Sequence, residues 1–482
     1  MAALSYCVAL TTFCLTSTIN PLLQGYDEAA RNDLEYVRKR LQELNPSPFA
    51  KYPENGAIRD SEQPDSIPEI NQPFAEYLYQ GDITLTPAQV EHIVSSRSKR
   101  QAINLNNPHF KRWSQERNGS IPYFFHGFDA NQRGLIKRAI QFWEDHTCVK
   151  FQEIDNGGRG LQITYAGPHG PCNSYIGKTD HMPQQVLNLG YHCLQFGTII
   201  HELGHALGMF HEHTRADRAQ YVTIREDNLA PGIKHNFDIH RVVENDNQGV
   251  EYDYGSIMHY SQMIPSFAKN GQISVMDPIW NNNLYTNTMG QHIRPSHKDI
   301  QMVNKLYQCN YMCQGKAPNS CENKGFVNPR NCSKCICPWG FGGKFCEERN
   351  VGHNVTAPCG TTLYASSQTQ ILEAMVGIPA TQLKERHDEC HWFIEAPPGR
   401  QVKIHLNSVL SRSTNMGRFW PRESGCPFNN VELKMKTDVS KTGYRFCKDI
   451  PGLQNMTSDG SRAIVSGYAR GILRFEISYS SI

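Results

Sequence analysis

The cysteines constrain this chain before any other feature does. Of sixteen in 482 residues, none lies between Cys14 and Cys148, six crowd between Cys313 and Cys346, and four follow from Cys359 to Cys447. Clustered, even-numbered cysteines predict disulfide-stapled units and an oxidising compartment. The length predicts two to four domains rather than one core. With 48 Lys and Arg against 46 Asp and Glu, nothing in the charge points to nucleic acid. No run is long and apolar enough to span a bilayer.

The first residues suit the same compartment. Leu4 to Leu15 (LSYCVALTTFCL) is a short apolar run followed by small polar residues, as in a signal peptide over residues 1–18. Its removal leaves fourteen cysteines, again an even number. A cysteine-free segment then ends in Arg97-Ser-Lys-Arg100, a proprotein convertase pattern. Residues 19–100 therefore read as a propeptide cut after Arg100, with a helix from Asp33 to Leu44 spaced by Leu34, Val37, Leu41 and Leu44. Asn118, Asn331, Asn354 and Asn455 begin Asn-x-Ser/Thr sequons, candidates for glycosylation.

The densest chemistry is HELGHALGMFHEHTRADR, His201 to Arg218. Gln195 to Leu207 carries Phe196, Ile199, Ile200, Leu203 and Leu207, which predicts a largely buried helix. His201 and His205 are four apart and share one face, so both can reach one zinc ion. Glu202 sits beside the metal and suits a general base. Gly208 permits the left-handed turn that would swing His211 round as a third ligand. Three protein ligands leave a position open, the mark of a catalytic zinc site. Neutral imidazoles are needed, so activity should fall in acid.

Downstream lies YDYGSIMHY, Tyr252 to Tyr260. The long zinc motif with a later methionine is the metzincin arrangement. Glu212 after the third histidine, Arg215, Asp217-Arg218, Tyr221-Val222, Ile121-Pro122-Tyr123 and Ser256-Ile257-Met258-His259-Tyr260 together resemble the astacin family, over Ala102 to Cys309. Ala219 stands where many relatives have an aspartate.

That resemblance implies an α+β metzincin catalytic domain over 101–310, with one zinc held by His201, His205 and His211. A helix at Asn131 to His146 and a strand at Gly160 to Tyr165 suit the α+β class. The resemblance makes Glu202 the base and then the acid. Tyr260 would stabilise the oxyanion, and Met258 would form the Met-turn. Glu212 would meet the new N-terminus after activation, here beginning at Gln101-Ala102. The implied disulfides are Cys148–Cys309 and Cys172–Cys193. Tyr79-x-Gly81-Asp82 matches the propeptide motif whose aspartate fills the open zinc position in the zymogen. Arg215 and Arg218 read as charge partners for the loop, and His213 as a loop residue without a carried-over role. Acid-selective relatives have arginine after Gly-Gln. Here Gly290-Gln291 is followed by His292, with Arg294 nearby.

Cys335-x-Cys337, PWGFGGKF and Cys346 resemble an EGF-like module over 311–347. It implies Cys313–Cys332, Cys321–Cys335 and Cys337–Cys346. A zinc ribbon would need two CxxC pairs, and only Cys332 and Cys335 have that spacing. Residues 359–479 alternate in short strands (Val402, Ile404, Leu406; Ile472, Leu473, Phe475, Ile477) and predict an all-β sandwich. Cys390-His-Trp392, Ala396-Pro-Pro-Gly399 and Cys426 before Val431-Glu432 resemble a CUB domain, implying Cys359–Cys390 and Cys426–Cys447. Phe428-Asn429-Asn430 lacks the acid of a full CUB calcium site.

The whole reads as a secreted zinc endopeptidase made as a zymogen. The resemblance to tolloid-like and nematode astacins implies extracellular substrates, matrix or cuticle collagens among them. The competing readings are a catalytically silent binding protein using its EGF and CUB modules, and an adamalysin-type metzincin. The intact His201, Glu202, His205, His211 and Tyr260 weigh against the first, and Glu212 with the SIMHY turn against the second.

Overall fold

The computed structural model describes residues 20–23, 25–44, 66–95, 109–113, 119–155, 157–180, 182–239, 247–271, 273–279, 284–315, 320–353, 359–378, 384–412 and 425–482. The leader run, the basic sequence ending in Arg100, Gln101, Ala102, Asn118 and Asn354 lie outside the described residues. Asn331 and Asn455 are exposed.

Local chemistry sets the helix starts. Helix α1 (Glu28–Leu44) begins earlier than Asp33 because the Asp27 side chain accepts the Ala30 N–H at 2.8 Å and caps a free end. It buries Ala30, Leu34, Val37 and Leu41. Short α2 (Ile67–Ile70) and α3 (Pro87–Ser95) follow. Helix α4 (Ala130–His146) opens on a reciprocal box between Asp129 and Gln132 and buries Ile136, Ala139, Ile140 and Trp143.

A six-stranded sheet forms the upper lobe from β1 (Ile83–Thr84), β2 (Ile121–His126), β3 (Phe151–Glu153), β4 (Gly160–Tyr165), β5 (Cys172–Tyr175) and β6 (Gln184–Leu189), ordered β1-β5-β6-β4-β2-β3. Strands β3, β2, β4 and β6 are parallel, and β5 turns back antiparallel on β6. Leu161 and Ile163 of β4 face a core with Ile140, Trp143 and Ile199. The opposite face is polar yet buried, because the N-terminal segment covers it. Gln162 donates to the Gly25 carbonyl at 3.0 Å, and Leu22, Tyr26, Leu34 and Phe74 pack on Tyr175 and Val186. Strand β1 belongs to the same segment and pairs parallel with β5, Ile83 against Ser174 and Thr84 against Tyr175. An open sheet edge is a template for a further strand, and this segment occupies it.

The remaining chain builds two smaller units. Residues 313–346 carry three disulfides and a hairpin of Phe326–Asn328 with Asn331–Ile336. The last unit packs a five-stranded sheet, containing Asp388–Glu395, Arg462–Ala469 and Asn429–Lys434, on a four-stranded one containing Gln370–Gly377, Ile472–Ser481 and Val402–Arg412. Cys359–Cys390 and Cys426–Cys447 staple it, and Cys148–Cys309 and Cys172–Cys193 staple the first lobe. Asn429 and Asn430 lie inside this sandwich with their amides committed to Ser411 and to the Cys426 carbonyl.

The sandwich is not a loose appendage. One apolar cluster runs from Tyr252, Tyr285 and Met289 into Val431, Leu433, Tyr444 and Phe446. Asp253 accepts from the Thr442 backbone at 3.1 Å and its hydroxyl at 3.0 Å. Arg294 reaches Glu389 at 2.6 Å and lies 3.7 Å over the Trp339 ring, joining all three units. Both partners are largely shielded from water, so removing one strands the other's charge. Arg294→Met should lower stability by about 3 kcal/mol, seen as a fall in calorimetric midpoint. Adding Glu389→Leu should recover most of that loss.

Candidate active site

Helix α5 (Phe196–Leu207) is buried from Gly197 to Leu207, so its histidines lie in the interior. It stops at Gly208, whose φ of +106° only glycine adopts without strain. The Met209 N–H returns to the Gly204 carbonyl at 2.9 Å, the chain reverses, and His211 faces back toward the helix.

The ring tautomers decide what this cluster can hold. His201 Nδ1 lies 2.7 Å from the Ile257 carbonyl, and His205 Nδ1 lies 2.8 Å from the Met209 carbonyl. A carbonyl only accepts, so each Nδ1 carries the proton and each neutral ring turns a lone pair outward at Nε2. Those two Nε2 atoms are 3.1 Å apart. Into the same point comes the Asp82 carboxylate, 3.1 Å from His211 Nε2, 3.3 Å from His201 Nε2 and 3.4 Å from His205 Nε2. Asp82 Oδ1 is buried with no hydrogen-bond donor among the described residues. Lone pairs and a carboxylate converge stably only on a cation. Tetrahedral ligands about 2.0 Å from one zinc ion stand about 3.3 Å from each other, so the donor set fits zinc. Burial pushes His211 down to about 4, which keeps it neutral.

A second layer fixes the first. Asp299, at the start of α6 (His297–Leu306), accepts from Ser256 Oγ at 2.5 Å and from the Ile257 N–H at 2.8 Å. It thereby sets the Ile257 carbonyl that orients His201. Burial raises Asp299 to about 6, against the pull of those hydrogen bonds. Met258 is fully buried under α5, and its carbonyl accepts the Glu212 N–H at 2.9 Å. Glu212 in turn accepts from Arg215 at 3.0 Å and from the Asp253 N–H at 2.9 Å. Burial lifts Glu212 to about 8, with Arg215 pulling the other way. Glu202 is buried with neither oxygen hydrogen-bonded among the described residues, and burial followed by the Asp82 charge raises it well above its ordinary value.

Residues 105–308 match the family model described as Astacin, a peptidase family. Over 475 residues the chain is 33% identical to Zinc metalloproteinase nas-28 of Caenorhabditis elegans, covering 95% of this chain and 88% of that relative. This chain belongs to the astacin family. It is also 31% identical over 442 residues to Zinc metalloproteinase dpy-31 of Haemonchus contortus, covering 88% of this chain and 76% of that one. Among solved structures it resembles High choriolytic enzyme 1, a hatching enzyme zinc-protease from Oryzias latipes. That likeness has 32% identity, 41% of this chain, 94% of that chain and a TM-score of 0.36. The chain is thus an astacin-type zinc metalloendopeptidase with Zn2+ as its cofactor.

In this astacin the structure brings together Asp82, His201, Glu202, His205, His211, Met258 and Tyr260. One expectation needs correction. His213 is no idle loop residue: it is fully buried and stacks on the Tyr260 ring at 4.0 Å. Arg294 is turned away from the cleft to Glu389, because the sandwich offers it a buried carboxylate. Other contributors were not picked out in the sequence. Gln80 meets His211 Nδ1 at 3.2 Å and takes the Tyr260 hydroxyl on its carbonyl. Asn71 donates to the Gly81 carbonyl at 2.9 Å and accepts the Cys172 N–H at 2.8 Å, clamping the aspartate turn to β5. Asp299 could have been found, since Ser296-x-x-Asp299 is a readable capping pattern.

The turn needs Gly81 at φ +80°, and a Cβ there would lie 2.7 Å from the Tyr260 hydroxyl. Gly81→Ala should therefore weaken the seat of Asp82 by about 1–2 kcal/mol. The Gly81→Ala chain should then cleave a quenched peptide about 10-fold faster than the parent chain.

Proposed function

We propose that this astacin is a secreted endopeptidase made as a zymogen, which hydrolyses extracellular proteins after cleavage at Arg100. The observation that carries this is the Asp82 carboxylate set among three imidazole lone pairs, on a segment that also fills the sheet edge. Such a plug holds the position an attacking water needs. The oxidising compartment is supported by seven disulfides among the described residues. No described helix is long and apolar enough to cross a membrane. A proprotein convertase is the activating partner that the Arg97–Arg100 pattern suits, and matrix or cuticle collagens are the substrate class the family resemblance favours.

His201, His205 and His211 would hold the metal. Zinc, when bound, supplies Lewis acidity that lowers the pKa of water toward about 7 and polarises a carbonyl. Once the segment leaves, β5 is open to receive an extended peptide by backbone pairing. Glu202, whose oxygens have no hydrogen-bond partner among the described residues, takes the proton of the attacking water and delivers it to the leaving amine. Tyr260 loses its acceptor on Gln80 and is then free to donate to the developing oxyanion. His213, stacked beneath it, limits how far the ring can tilt.

The test is peptide-library cleavage by zinc-loaded protein processed at Arg100. Glu202→Gln should lose about 10^3-fold in kcat while zinc content stays unchanged. A chelator should abolish cleavage, and added zinc should restore it. Processed, zinc-loaded protein that cuts no peptide would overturn the proposal.

A further inference from the structure

We propose that the C-terminal sandwich forms one wall of the substrate cleft, where Lys448 selects an acidic substrate side chain. This rests on the endopeptidase function proposed above and names part of its specificity.

The space beside the metal cluster is lined by His201, Tyr260, His292, Ile264 and Pro265 from the catalytic lobe, and by Lys448 from the sandwich. Lys448 follows directly on Cys447, which is tied to Cys426. The strand before it, Tyr444–Phe446, is fastened to the catalytic lobe. The Arg445 N–H donates to Thr288 Oγ1 at 3.1 Å, and the Arg445 guanidinium reaches Gln291 at 3.3 Å. Tyr444 and Phe446 belong to the apolar cluster shared with Tyr285 and Met289. The ammonium is therefore carried on a backbone held in place by the lobe that holds the metal.

Two observations give this wall a ligand class. Lys448 has no carboxylate partner among the described residues, although it is exposed to the cleft it lines. Arg294, the nearby arginine, is already spent on Glu389. The segment that lines the same space before activation carries Ile67-Pro68-Glu69, an apolar pair followed by an acid. Its departure leaves an apolar floor at Ile264 and Pro265 with a cation at the rim. His292 lines the same space, and its Nδ1 is buried without a hydrogen-bond partner among the described residues. A side chain with an aliphatic stem and a terminal carboxylate matches both surfaces.

The experiment uses the full chain, processed at Arg100 and zinc-loaded. Paired peptides differ only by Glu against Gln at each position flanking the scissile bond. At one position the Glu peptide should be preferred about 3- to 5-fold in kcat/KM at low salt, carried by KM and shrinking as salt rises. Lys448→Met should bring that ratio to about 1, and Lys448→Glu should invert it, with the ratio at every other position unchanged. Equal ratios in the parent and both variants would overturn this inference and leave the endopeptidase intact. No cleavage of any peptide would overturn both.

Discussion

Everything near the metal follows from one electrostatic constraint. Three imidazoles are wedged so that their protonated nitrogens point at protein acceptors and their lone pairs point at one another. That arrangement is unfavourable alone and becomes favourable around a dication. The protein spends a helix, a glycine reversal, a methionine turn and the cap of a second helix on holding it. Asp82 exploits the same point from outside. A carboxylate that would be costly to bury becomes the natural fourth donor, so the covering segment and the metal draw on one field.

Much of the site could be read from residue order, because its spacing is helical. His201 and His205 share a face through the 3.6-residue turn, and Gly208 marks the end of that turn. Tyr79-x-Gly81-Asp82 was legible only through the family resemblance, since Gly-Asp alone marks no more than an ordinary turn. What could not be read depends on surfaces meeting across long stretches of chain. His213 acquires its place only when Tyr260, 47 residues on, arrives beneath its ring. Gln80 matters through a left-handed backbone that no side-chain pattern announces.

The fold shows the same division. Helix and strand periodicity located α4, α5, β4 and the sandwich strands, and capping moved only the start of α1. Periodicity cannot say that the polar face of β4 is buried, because the cover comes from Gly25 and Leu22 in another segment. Nor can it say that Arg294 faces the sandwich, since Glu389 lies 95 residues away.

The shared apolar cluster between the catalytic lobe and the sandwich has a practical corollary. A chain cut after Cys309 would leave Tyr285 and Met289 as an oily face in water, with Asp253 lacking its threonine. Such a fragment should be sticky and sparingly soluble even with its metal site intact. The tail is then better regarded as the missing half of the lower lobe than as an accessory that could be traded between proteases.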